Sequence, residues 1–329
     1  MQYRKFGNTD LTVSEVGFGA WAIGGGDMVG ETAIGWGAAD DSTSKEAIKA
    51  ALDNGITFFD TADIYGLGHS ESLLGEILNG NKDVVIATKV GNVARNNQFN
   101  TDYTKDYILQ ACEESLKRLR KDVIDYYQLH SARVPQLQQG DCIEAMQLLQ
   151  QQGKIRYWGL SLNTFYPDAE ADYLMENNLG YGLQVVLNII NQKGLALIKK
   201  AGEKGYGIIA RMPLQFGLLT GKFTEQTTFE PNDHRNKRLT KDVIQNSTEA
   251  LQPVWALCEK YNISKTALAL SYILSYEEVS TVIPGIRTKE QVLTNTNGIK
   301  KLDEKDRALI ESLNENSFQQ LLKLIESKG

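Results

Sequence analysis

The chain reads as an α/β protein, a (β/α)8 TIM barrel carrying an N-terminal β-hairpin and extra C-terminal helices. Three observations lead there. Short β-branched or aromatic runs recur eight times. Each is followed by a helix or a helix-length segment, the pattern of parallel βαβ units. Eight strands is also the number that closes a barrel whose interior the side chains can fill. A length of 329 residues suits one barrel of ~250 residues plus insertions, taken as a single domain over 1–329. The rival on spacing alone is an open, doubly wound sheet.

Residues 3–16 (YRKFGNTDLTVSEV) read as an added hairpin with GNTD as its turn. The first four strand runs are 17–21 (GFGAW), 56–61 (ITFFDT), 83–89 (DVVIATK) and 125–130 (DYYQLH). The second four are 155–161 (IRYWGLS), 183–188 (LQVVLN), 207–213 (GIIARMP) and 281–286 (TVIPGI). Residues 43–53 place Ala47, Ile48, Ala51 and Leu52 on one helical stripe closed by Gly55. Similar stripes cover about 105–119, 141–151, 193–203 and 246–261, and the segment near 303–327 reads as amphipathic helices packed over the outside.

Composition narrows the function classes. The chain is 42% hydrophobic and 23% charged, as expected of a globular protein with a full-sized core. A net charge of −6 leaves no basic surface to dominate binding to phosphate backbones, so no nucleic-acid partner is expected. Cys112, Cys142 and Cys258 lie far apart without a CxxC. That argues against a disulfide framework or a zinc knuckle, implies no metal, and suits a reducing compartment. The polar start MQYRKFGNTD is unlike a signal peptide, and no apolar run approaches ~18 residues. The expectation is a soluble, cytoplasmic protein without a membrane partner; its oligomeric state is not legible.

Two nucleotide motifs fail. Gly24, Gly25, Gly26 and Gly30 lack the GxGxxG spacing. GLLTGK (217–222) has three residues between its glycines instead of the P-loop's four, and Phe223 instead of Ser or Thr follows Lys222. A tight turn after strand seven is the better reading.

Chemistry concentrates at the ends of strands two, three and four: Asp60, with Tyr65 in DTADIYG; Lys89 in IATKVG; and His130 in YYQLH. In a barrel these ends open into one C-terminal mouth. A buried Lys89 held charged by Asp60 favours the phenolate form of Tyr65, making it a general acid able to work near neutral pH. His130 can hydrogen-bond the same hydroxyl or a substrate oxygen. Such an acid serves where a carbonyl becomes an alcohol while hydride reaches its carbon. Singly, each residue also has a plain structural role: a strand-end cap, or a tyrosine packing in a loop. His130 alone among the three histidines (with His69 and His234) ends an apolar strand.

In these residues the chain resembles the aldo-keto reductase family, specifically its bacterial branch of general aldehyde and ketone reductases. The likeness rests on GITFFDTADIYGLGHSESLLGEIL, IATKVG, YYQLH, GKIRYWGLS, LQVVLN, PLQFGLLTGK and VIPGIRTKEQVLTN, and it runs from about residue 3 to 310. It implies a nicotinamide cofactor across the barrel mouth and a catalytic tetrad of Asp60, Tyr65, Lys89 and His130. Ser161, Asn163 and Gln184 match the residues that hold the carboxamide, although Leu162 separates Ser161 from Asn163 where relatives have the pair adjacent. Arg211 stands where many relatives put a tyrosine under the nicotinamide ring. Its guanidinium plane could stack instead, or it could form a buried salt bridge across the mouth.

The resemblance extends the cofactor set to Gly19, Ala20, Trp21 and Asp60, and to Leu214, Gly217, Leu218, Thr220 and Lys222 near the pyrophosphate. Gly285, Arg287, Thr288, Gln291 and Asn295 match the adenosine end. Arg287 is a candidate partner for a 2′-phosphate, which favours NADPH/NADP+ over NADH, although the Lys and Arg that some relatives carry at positions 285 and 291 are absent. Trp21, Tyr65, His130 and Trp36, with Ile34, are the candidate substrate wall, suited to hydrophobic or reactive carbonyls. Two other classes use the same features differently: a Schiff-base aldolase built on Lys89, and a regulatory subunit such as the channel β-subunits of this fold.

Overall fold

A computed structural model describes residues 1–26, 28–30 and 32–328. The eight barrel strands are β1 (Phe18–Gly19), β2 (Phe58–Asp60), β3 (Val85–Val90), β4 (Ile124–His130), β5 (Ile155–Ser161), β6 (Gly182–Val186), β7 (Gly207–Arg211) and β8 (Val279–Ile283). Neighbours pair in parallel and in chain order. The ring closes between its first and last strands: the Gly17 and Gly19 amides donate to Val282 O and Pro284 O at 2.8 and 3.0 Å, and Val282 N donates to Glu15 O at 2.9 Å. That closure excludes the open, doubly wound sheet.

Every expected strand is present, most within two residues of its sequence run. The first is the shortest, because Ala20–Ile23 winds into a 3-10 turn at the barrel mouth. Helices α1 (Asp41–Asp53), α2 (His69–Leu78), α3 (Lys105–Leu119), α4 (Asp141–Gln151), α5 (Asp168–Glu176), α6 (Leu195–Glu203), α7 (Lys265–Leu274) and α8 (Lys289–Thr296) follow the strands. The stripe at 246–261 is in fact two helices, Lys241–Ala250 and Gln252–Tyr261, broken around Leu251 with Pro253 in the first turn of the second. Proline lacks the N–H that continuous helix would need there. α7 carried no stripe to read, since every residue from Thr266 to Leu274 is buried. Glu304–Asn314 and Ser317–Glu326 are the extra C-terminal helices.

The N-terminal hairpin pairs Tyr3–Lys5 with Thr12–Ser14 and plugs the lower end of the barrel. Phe6 packs edge-on against Tyr126 at 4.8 Å and stacks with Phe58 at 6.3 Å between centroids. Leu11, Val13, Val85, Ala87, Ile209 and Ile283 complete this inner core. The plug needs room: a Cβ on Gly207 would fall 2.6 Å from the Phe6 ring. Arg4 then ties the hairpin to the outer wall through the carbonyls of Leu274, Tyr276 and Val279. Two small hairpins that sequence pattern did not reveal, Met28–Val29 with Thr32–Ala33 and Asn92–Arg95 with Gln98–Thr101, meet where Gly30 N donates to Asn97 Oδ1. Among the described residues no helix is long and apolar enough to cross a membrane.

Phe6→Ala should cost about 3–5 kcal/mol, the scale of a buried phenylalanine that leaves a cavity. Urea unfolding measures it. A loss under ~1 kcal/mol would mean that the barrel does not depend on the plug.

Candidate active site

The register of the strands assembles the site. Gly19 pairs with Asp60, Gln128 with Lys89, His130 with Ser161, and Ser161 with Gln184. All of these positions lie at or near the C-terminal strand ends, so their side chains converge on one mouth. Beyond β2 the chain stays bonded to β3 through Thr61 N to Ala87 O at 2.8 Å and Asp63 N to Lys89 O at 3.3 Å. It then makes a tight turn at Tyr65–Gly68, in which Gly66 and Leu67 take left-handed conformations. Gly66 is required twice over, by a φ of 58° and by a close approach that would put a Cβ 2.0 Å from Gly24 O. The turn is held against α2 by Thr61 Oγ1 and Ser70 Oγ, 2.8 Å apart, with Ser70 Oγ donating to Ala20 O. Tyr65 is thereby fixed beside Trp21, stacked at 5.9 Å.

Below Tyr65 lies a buried polar network. Lys89 is fully buried and Asp60 is 2% exposed. Lys89 Nζ donates to Asp60 Oδ1 at 2.6 Å, to Thr61 O at 2.8 Å and towards the Tyr65 hydroxyl at 3.4 Å. Burial opposes the ammonium, but Asp60 and then Tyr65 outweigh it and hold the Lys89 pKa above its ordinary 10.5. Asp60 Oδ2 accepts from the side-chain amides of Gln128 at 3.1 Å and Gln184 at 2.7 Å. Gln184 in turn accepts from Ser161 Oγ at 3.3 Å. His130 stands edge-on to Tyr65 at 6.0 Å with Nδ1 enclosed and without a partner. Burial, with Lys89 and Arg211 nearby, pushes its pKa well below 6.5, so its imidazole is neutral.

Above this floor is a cavity of about 600 Å³, well within the range of ligand sites. Of the sequence candidates, Asp60, Tyr65 and His130 line its floor, and Gly19, Ala20, Trp21, Ile34 and Trp36 one wall. Ser161, Gln184, Arg211, Leu214, Gly217, Thr220, Lys222, Gln291 and Asn295 also line it, and Gly285 lies beside Gly19 and against Trp36. Lys89 lies beneath the floor.

Four candidates are not part of this lining. Asn163 Oδ1 accepts from the Phe165 and Tyr166 amides and so caps its own loop. Leu218 is buried against the helices outside the barrel. Thr288 caps α8 by accepting from Gln291 N. Arg287 Nη1 donates to Trp36 O and Ala38 O, clipping the long first loop to the last strand.

Arg211 makes no salt bridge among the described residues. Its Nη2 donates to Leu162 O and Thr164 Oγ1, and its Nε has no partner. Burial, then Arg238, lowers its pKa against the pull of Tyr65 and Asp60.

Sequence reading missed Gln128, although YYQLH displayed it, because a glutamine inside a strand carries no catalytic signature of its own. Of the segment after β7 it named Leu214, Gly217, Leu218, Thr220 and Lys222 but missed other residues. There Phe216, Arg235 and Arg238 line the cavity, and His234 stacks on Trp21 at 4.6 Å. Burial and Arg238 push the His234 pKa down to about 3. Only folding brings residues 234–238 over the mouth.

Comparison with known proteins agrees with this architecture. The model of the Aldo/keto reductase family matches residues 15–315. Aldo-keto reductase YhdN of Bacillus subtilis is 32% identical over 332 residues, covering 97% of this chain and 95% of its own. The NADH-specific methylglyoxal reductase of Escherichia coli is 29% identical, covering 96% and 99%. The solved structure of the glycerol dehydrogenase AKR11B4 from Gluconobacter oxydans superposes with a TM-score of 0.80 at 28% identity, covering 94% of each chain. A closed parallel barrel, a cavity at its C-terminal mouth and a family match over nearly the whole length have one meaning: the chain belongs to the aldo/keto reductase family.

Proposed function

We propose that this protein reduces aldehydes and ketones to alcohols with NADPH, with Tyr65 as the proton donor. The observation that carries this reading is the buried Lys89–Asp60 ion pair beneath the Tyr65 hydroxyl, on the floor of an open cavity. As a carbonyl oxygen gains negative charge, Tyr65 gives it a proton and becomes a phenolate. Lys89 Nζ stabilises that phenolate at close range, and Asp60 keeps the ammonium charged. Neutral His130 is suited to orient the oxygen by hydrogen bonding, while its lowered pKa rules it out as the proton source near pH 7.

The cavity's donors fit a nicotinamide dinucleotide, which when bound supplies the hydride. Ser161 and Gln184 present a hydroxyl and an amide acceptor to a carboxamide. The Arg211 plane, with its unpartnered Nε, suits the ring face, and Lys222 and Arg238 supply positive charge for the pyrophosphate. Arg287 has one nitrogen committed to the first loop and the rest of its fork available for a 2′-phosphate. The aromatic wall of Trp21, Trp36 and Phe216 favours hydrophobic carbonyl substrates. A Schiff base on Lys89 has no support in this geometry. The amine is buried against three oxygens, does not face the cavity, and is held protonated.

Tyr65→Phe keeps the ring and removes the proton, so kcat should fall ~10²–10⁴-fold with little change in NADPH affinity. Steady-state kinetics and fluorescence titration check both, and near wild-type turnover would refute the mechanism. Arg287→Ala should weaken NADPH binding by ~1.5–3 kcal/mol and NADH binding far less. Equal losses for the two would assign Arg287 to holding the loop alone. Arg211→Tyr should tighten NADP+ relative to NADPH, because a fixed cation beside the ring repels the oxidised, positive form. An unchanged ratio of the two dissociation constants would contradict the charge argument.

A further inference from the structure

The geometry points to Gln128 as a positioning residue that anchors the plane of the Gln184 amide, whose polarity Asp60 sets, so that its carbonyl oxygen is held facing the cavity. The inference rests on the nicotinamide reading above and concerns a residue that touches neither cofactor nor substrate. Gln128 is fully buried, lies opposite Lys89 in the sheet, and does not line the cavity.

Donors and acceptors around Asp60 are fully matched. Asp60 is a carboxylate bonded to the Lys89 ammonium through Oδ1, so its oxygens can only accept. An amide beside Oδ2 must therefore present its NH2 end. Both glutamines do so, Gln128 at 3.1 Å and Gln184 at 2.7 Å. The Gln184 NH2 has two hydrogens. One goes to Asp60 Oδ2; the other goes to Gln128 Oε1 at 3.2 Å. Both Gln184 hydrogens are then committed beneath the floor, and its Oε1 is left towards the cavity, where it accepts from Ser161 Oγ.

Gln128 completes this match. It supplies the one acceptor that takes the second Gln184 hydrogen, and it returns a donor to the same carboxylate. A carboxamide entering the site therefore meets an acceptor at Gln184 and must turn its own NH2 there. The Ser161 hydroxyl, freed from Gln184, then donates to the carboxamide oxygen. Without Gln128, one Gln184 hydrogen has no partner; Asp60 still demands the NH2 end, but the amide has lost the second anchor that fixes its plane, so its oxygen is no longer held in place for a carboxamide. One buried anion, Asp60, thus orients the group under the proton donor and the group that sets the nicotinamide, with Gln128 joining the two.

The test compares binding of NADP+ with binding of 3-acetylpyridine adenine dinucleotide phosphate. In the latter a methyl ketone replaces the amide, so the acceptor remains and the N–H donors are gone. Dissociation constants come from tryptophan quenching, alongside thermal unfolding. The wild type should bind the acetyl analogue roughly tenfold more weakly than NADP+, the scale of one lost hydrogen bond to a buried acceptor. Gln128→Leu should shrink that preference to about threefold or less, mainly by weakening NADP+. Gln128→Met, longer and more pliable, is measured in parallel in case the leucine variant folds poorly. A wild type without preference, or Gln128 variants that keep the full preference, would overturn the inference while leaving the cofactor assignment intact. A wild type that binds neither of these, nor NAD+ and its acetyl analogue, would overturn the nicotinamide reading itself, and the inference with it.

Discussion

The site is organised around a buried ion pair, Lys89 Nζ to Asp60 Oδ1 at 2.6 Å. Two charges in a dry interior are costly, and their attraction offsets that cost only when the remaining hydrogen-bonding capacity is met. Here it is met from four directions: Thr61 O and the Tyr65 hydroxyl around the ammonium, and Gln128 and Gln184 around the carboxylate. Each partner comes from a different strand end or from the turn after β2. The pair therefore couples the register of neighbouring strands to the position of one phenol. Removing either charge would strand the other, typically a loss of 3–5 kcal/mol, before any effect on chemistry.

A second buried cluster supports the turn from behind. Glu71 on α2 accepts from Thr88 Oγ1 on β3 at 2.5 Å and from Arg118 on α3 at 2.6 Å. Asp63, whose amide donates to Lys89 O, lies near this group with Oδ1 unpartnered. Burial and Glu71 raise its pKa well above 3.8, against Arg118. That rise disfavours a negative charge close to Lys89, whose ammonium is bonded to Asp60 and the phenol. Packing thus holds the Tyr65 turn, and electrostatics decides the protonation states around it.

The cavity has an unbalanced lining. Arg211 and Arg238 face it with no carboxylate in salt-bridge range among the described residues, and burial lowers the pKa of both. Arg235, by contrast, is neutralised by Asp233. Unpaired cations in a partly dry cavity are costly until an anion arrives, which accords with a dinucleotide ligand.

The eight strands were legible because each is a short β-branched run between turn residues. Asp60, Lys89 and His130 were legible because strand ends in a closed barrel share one mouth, so order along the chain predicts convergence in space. Local pattern also marked most helices, but not α7, which is buried all round, nor the break before Pro253. What the sequence by itself determined is the barrel and the residue types at its rim. Tertiary structure alone decided how those side chains are spent. Asn163 and Arg287 match family positions by number, yet loop geometry commits Asn163 to its own backbone and one nitrogen of Arg287 to the first loop. Gln128 carried no signal, yet the register of β3 and β4 sets it against Asp60 and Gln184. The physical reason is that periodicity reports which face of an element is buried, whereas hydrogen-bond partners depend on ångström distances between elements far apart in the chain.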